Sequence, residues 1–173
     1  MSILVGDMLP HGAFQVMGEE GPETIDVTEF FSGKTVLMFA VPGAFTPTCS
    51  ASHLPGFVVH YDAIKEKGID EIVCLSVNDV FVMNAWDKAN NAENLVMAAD
   101  GLAEFTCSMG LELDISAAKM GIRSRRYAML VTNGIIQQLW LDEAQRNTFC
   151  LNCKLVAFIS TKKRRKKCVV FLC

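Results

Sequence analysis

The chain has 173 residues, 51 % hydrophobic and 20 % charged, which suits one domain with a sizeable core and excludes wholesale disorder. No run approaches the roughly 18 apolar residues that span a bilayer. The formal net charge is −3 and six of the 16 basic residues lie in 162–167, leaving −9 on the rest, which argues against a nucleic-acid-binding domain.

The N-terminus shows neither the basic and apolar regions of a signal peptide nor the Arg- and Ser-rich character of a transit peptide. The expectation is a cytoplasmic protein, with a mitochondrial or other organellar form as the alternative. The seven cysteines are odd in number and irregularly spaced. Without a secretory signal, that pattern indicates reducing surroundings and thiol chemistry rather than a disulfide framework.

In chain order, Val5–Pro10 reads as a short opening segment that ends in a turn, and Phe14–Met17 as a short strand. Gly18–Pro22 is a strong turn signal, so Thr24–Val27 returns as a hairpin partner before a single helical turn at Thr28–Phe31. Thr35–Ala40 is an apolar run rich in β-formers and predicts a strand. Residues 50–67 place Leu54, Phe57, Val58, Tyr61 and Ile64 on one helical face, with Pro55 expected to distort or kink the helix. Glu71–Val77 is the next strand, Phe81–Ala89 a helix, and Leu95–Asp100 a short strand. Residues 102–109 suggest a helix and Ala117–Met120 a short helical turn. Arg126–Val131 and Ile135–Trp140 flank Asn133–Gly134, an excellent hairpin turn. Crossover α/β units followed by a terminal hairpin predict a mixed sheet.

The stretch Val41–Ser50 carries the chemistry. Cys49 falls at a strand-to-helix junction, where unpaired N–H groups and the helix dipole favour a thiolate. Pro42, Gly43 and Pro47 before it suggest a loop held in one shape. Cys49 is therefore a candidate nucleophile, the alternative being a buried cysteine that fills space.

Pro42-x-x-x-Thr46-x-x-Cys49 resembles the active-site signature of the peroxiredoxins. The longer string Pro42–Ser50, continued by Ser52–Gly56, is similar to the subfamily that holds the type II plant enzymes and the atypical mammalian and peroxisomal-type forms. The likeness continues through Ser76–Asp79, Phe81–Met83, Trp86, Gly110–Asp114 and Arg123–Ala128, so it covers about residues 3 to 142. It implies a thioredoxin-like α/β fold, with a mixed central β-sheet flanked by helices, over residues 1–145. Residues 146–173 form a divergent cysteine-containing and basic segment.

The resemblance also implies a thiol-dependent peroxidase that reduces hydrogen peroxide and organic hydroperoxides through a sulfenic acid at Cys49. An unperturbed thiol, with a pKa of about 8.5, needs local positive potential to react at neutral pH. Arg126 matches the family's active-site arginine and supplies a permanent charge; from the residues alone Arg123 and Arg125 compete with it. Arg123 is read as a support for the site and Arg125 as solvated. Thr46 is implied to orient the peroxide, or to stabilise the loop, or both. Pro42 is implied to shield the thiolate. Gly43 permits close backbone approach, and backbone N–H groups near Cys49 are candidate donors where charge develops. His53 lies close enough to influence Cys49 but is assigned to helix packing or an interface rather than to general base catalysis. Trp86 and Phe81 read as core or dimer contacts, and Val80 stands where relatives commonly place proline.

The sulfenic acid must condense with a second thiol. Cys74, which aligns with a second cysteine of the plant forms, reads as buried core, and Cys107 stands where relatives often carry lysine. Cys150 lies in the region of a distal resolving cysteine, though its flanks do not match that motif. Turnover is expected to use an external thioredoxin or glutaredoxin, with no cofactor and no metal implied, and a homodimer is implied by the family. Cys150 and Cys153 also admit a dithiol–disulfide oxidoreductase, and a peroxide sensor is a further alternative. The pair is weak evidence for zinc. The basic tail suits contact with an acidic membrane surface or plain solvation.

Overall fold

The computed structural model describes residues 2–142, and its layout follows from where apolar residues alternate and where they run unbroken. The elements are β1 (Ala13–Met17), β2 (Pro22–Asp26), α1 (Val27–Phe31), β3 (Thr35–Val41), a π-turn (Cys49–His53), α2 (Leu54–Val59), α3 (Tyr61–Lys65) and β4 (Glu71–Ser76). There follow α4 (Val80–Asn90), β5 (Val96–Ala99), α5 (Glu104–Ser108), β6 (Glu112–Asp114), a 3-10 turn (Ser116–Ala118), β7 (Ile122–Ser124), β8 (Tyr127–Thr132) and β9 (Ile135–Leu141).

Seven strands form one sheet in the order β2-β1-β5-β4-β3-β8-β9. β3, β4 and β5 are parallel neighbours, while β1 and β8 join them antiparallel. β3 is buried on both faces, which is why it reads as an unbroken apolar run. Its alternate residues feed two cores. Leu37, Phe39 and Val41 meet Leu54 and Phe57 of α2, Ile64 of α3 and Met83 and Trp86 of α4. Val36, Met38 and Ala40 meet Phe31 of α1 and Phe105 of α5. The result is a mixed sheet with helices on both faces, the thioredoxin-like α/β fold expected from the sequence.

Two local features depart from the sequence-based expectation. The stretch after Cys49 is three segments: π geometry gives way to α at Leu54, beside Pro55 as expected, and a further break at His60 carries no signal in the sequence. Pro55 sits in the first turn of α2, where its missing N–H costs nothing. The second is a two-stranded ribbon of β6 and β7; three residues per strand are too few to show a period of two. Of the two aromatics read as core or dimer contacts, Trp86 is fully buried in the core and Phe81 is 65 % exposed. Asn133 and Gly134 both take positive φ, as the tight β8–β9 hairpin requires.

The expected roles of Cys150, Cys153, the basic block and the segment 146–173 fall outside the described residues. Among the described residues, no helix is long and apolar enough to cross a membrane.

Candidate active site

Cys49 opens the π-turn, one short loop past the carboxyl end of β3, the end of the strands at which ligands commonly bind to α/β sheets. The loop is tied at several points. Thr46 Oγ1 donates to the Gly43 carbonyl at 2.9 Å, and the Ser50 N–H donates to the Thr46 carbonyl at 3.0 Å. The Ala44 N–H donates to Asn78 Oδ1 at 3.0 Å, which also accepts from Ser76 Oγ at 2.7 Å. Gly43 is needed for space: a Cβ there would meet Thr46 Cγ2 at 3.2 Å and Met120 Cε at 3.3 Å. Trp86 Nε1 donates to Ser50 Oγ at 2.9 Å, so the residue after the cysteine is anchored to α4.

Arg126 comes from the entry to β8, the strand next to β3, 77 residues later, and is placed by register. β3 and β8 pair Ala40 with Tyr127, so the residue before Tyr127 stands beside the end of β3. Ala128 faces the core that contains Cys49, and Tyr127 faces the other. A period of two then turns Arg126 toward Cys49 and Arg125 away from it.

Contacts bear this out. Arg126 is buried, and its Nη2 donates to Cys49 Sγ at 3.3 Å. Its Nη1 donates to His53 Nδ1 at 3.0 Å, and its Nε lies 3.8 Å from Asp142 Oδ2. Asp142, just past β9, is held by its own N–H, which donates to the Arg126 carbonyl at 3.0 Å. Arg123 lies apart from the sulfur: Nη1 donates to the Val77 carbonyl at 2.7 Å and Nε to the Met120 carbonyl at 2.9 Å. It fastens the β6–β7 ribbon over the loop at Gly43. Arg125 is exposed and donates to the Glu112 carbonyl at 3.3 Å.

The structure therefore joins Cys49 and Arg126 directly, with Thr46 and half-buried Pro42 on the same loop. Thr46 turns its hydroxyl hydrogen to the loop, which leaves its oxygen lone pairs as the free acceptor. The residues that sequence reasoning left aside are His53 and Asp142. His53 is fully buried, with its ring edge-on to Phe39 and Phe57, which stack on each other at 3.7 Å. Burial and then the Arg126 charge lower its pKa to about 3, so the ring stays neutral. The Arg126 contact uses the Nδ1 lone pair and places the proton on Nε2.

Cys74 is buried in the same core as Cys49, and burial and then the neighbouring Cys49 push its thiol well up. It sits as the buried residue the sequence suggested. Cys107 is exposed on α5, which packs on the opposite face of the sheet. Among the described residues, no group of three or more His, Cys, Asp and Glu side chains could hold a metal ion.

Known proteins share this arrangement at the level of the whole domain. The redoxin family matches residues 4–149. Peroxiredoxin-2D of Arabidopsis thaliana is 49 % identical over 133 residues, covering 76 % of this chain and 82 % of that protein. Peroxiredoxin-2C of Oryza sativa subsp. japonica is 47 % identical over the same coverage. The crystal structure of reduced Prx3 from Vibrio vulnificus in complex with H2O2 superposes with a TM-score of 0.79 at 49 % identity, covering 81 % of this chain and 88 % of that one. With more than four fifths of the sequence inside the family match, the chain belongs to the redoxins and is a peroxiredoxin, a thiol peroxidase that works through a cysteine intermediate.

Proposed function

We propose that Cys49 is the peroxide-reducing cysteine and that Thr46, Arg126 and Pro42 complete its site. The observation that carries this is the 3.3 Å contact from a buried guanidinium to the Cys49 sulfur. A permanent cation that donates to sulfur favours the thiolate, the form that attacks. The thiolate attacks one oxygen of ROOH, and the O–O bond breaks. Sulfur is oxidised to Cys49–SOH, and the leaving RO⁻ takes a proton from water to give ROH. The second amine hydrogen of Arg126 Nη2 and backbone N–H groups of the loop stabilise charge on the departing oxygen. Thr46 accepts from the peroxide O–H, because its own hydrogen is committed to Gly43. Pro42 keeps water from the sulfur on the loop side.

The substrates are hydrogen peroxide and small organic hydroperoxides. An external thioredoxin or glutaredoxin thiol condenses with the sulfenic acid, releasing water, and its second thiol reduces the mixed disulfide. A cytoplasmic setting, where such thiols are kept reduced, and a homodimeric state belong to the same proposal.

Peroxide consumption by the intact protein, with thioredoxin and glutaredoxin supplied separately, tests the reading. Cys49→Ser is expected to fall to the uncatalysed background with both reductants. A serine variant that keeps full turnover would overturn the assignment.

A further inference from the structure

We propose that His53 is a positioning residue for the thiolate: a neutral imidazole that takes one amine of Arg126 and so holds the other on Cys49. The inference rests on the reading of Cys49 as the reactive cysteine.

The guanidinium is a rigid planar fork, so fixing one amine fixes the direction of the second. Nη1 is taken by His53 at 3.0 Å and Nη2 by Cys49 at 3.3 Å. The acceptor and the sulfur are carried by one element, since the π-turn runs from Cys49 to His53. A single turn thus grips both prongs of the fork. The imidazole itself has little freedom, being fully buried with its edges set against the stacked Phe39 and Phe57.

The chemical type of the acceptor matters as much as its place. A carboxylate at this distance would make a charge-assisted pair and compete with the sulfur for the guanidinium. A neutral ring nitrogen fills the donor and leaves the positive charge to act on Cys49. Asp142 forms a buried ion pair with Arg126 from the Nε edge, Oδ2 at 3.8 Å, which leaves both terminal amines free for His53 and Cys49. The titratable groups around the sulfur are Arg126 from just before β8, His53 from the π-turn and Cys74 from β4, with Asp142 behind Arg126 and Asp87 of α4 acting on Cys74. Burial and then the Arg126 charge keep the ring neutral down to about pH 3, so it remains an acceptor at neutral pH.

The test uses the full-length chain with His53→Gln, His53→Leu and His53→Glu. Two readouts are taken: thiolate ultraviolet absorbance against pH, as the difference from Cys49→Ser, and the pH profile of single-turnover oxidation by hydrogen peroxide. Gln offers a neutral amide oxygen and is expected to stay within about twofold of the parent rate. Leu and Glu are each expected to lower the thiolate absorbance read at about pH 6, because the amine that faces Cys49 is released or drawn away. Their oxidation at about pH 6 should fall roughly tenfold and recover under alkaline conditions.

Titrations of the Leu and Glu variants that match the parent overturn the proposal. So does a rate loss that is equal at every pH, which marks His53 as packing alone, or a Gln variant that shifts as far as Leu. If Leu does not fold, the Gln and Glu pair carries the comparison. The titration needs no turnover. Failure of the peroxidase assignment would appear instead as an active Cys49→Ser, independent of these shifts.

Discussion

Arg126 separates from its two neighbours by what each guanidinium touches. Its contact with sulfur is charge-assisted, and such hydrogen bonds are worth about 1.5–3 kcal/mol. Arg126→Gln is therefore expected to slow Cys49 oxidation by roughly ten- to a hundredfold, measured by competition for peroxide. Arg126→Lys should fall between, because a lysine keeps the charge but cannot span Cys49 and His53 together. Arg125→Gln, changed on an exposed strand-end residue, should oxidise at the parent rate. The motif around Cys49 could be read directly from the chain because its residues are local. Choosing among Arg123, Arg125 and Arg126 on physical grounds needs the β3–β8 register, a contact 77 residues long that no local pattern contains. His53 was visible as a residue near Cys49, but its partner was not.

At the scale of elements, the start of α4 has the geometry to take a proline at position 80. Val80 is the first residue of α4, and Asp79 caps the helix by accepting from the Val82 N–H at 2.9 Å. Asp79 already has the extended backbone, φ −72° and ψ 164°, that a residue before proline must adopt. Val80→Pro should thus be compatible with the helix start and raise stability by about 0.4–1 kcal/mol through the unfolded chain. Thermal unfolding checks this. A lower midpoint would mean that the packing of the buried Val80 side chain outweighs the backbone gain. Apart from the short β6–β7 ribbon, helices and strands followed the apolar pattern, whereas the π-turn did not, since its hydrogen bonds span one residue more than an α-helix's over only five residues.

For the molecule as a whole, the sheet joins catalysis to stability, because the buried network that holds Arg126 also sets how folding responds to acid. His53 has an ordinary pKa of 6.5 unfolded and about 3 in the fold. Between those values the unfolded chain binds a proton that the folded chain refuses, so stability is full above about pH 6.5 and falls as pH drops toward 3. The loss from this group is on the order of a few kcal/mol. His53→Gln is expected to flatten the dependence of the unfolding midpoint between those pH values, and an unchanged slope would contradict it. One equivalent of hydrogen peroxide, followed by dimedone to trap the sulfenic acid and mass spectrometry to locate the adduct, identifies the reacting cysteine. The adduct is expected on Cys49, with Cys74 and Cys107 still thiols. An adduct on another of the seven cysteines, with Cys49 unmodified, would contradict the assignment.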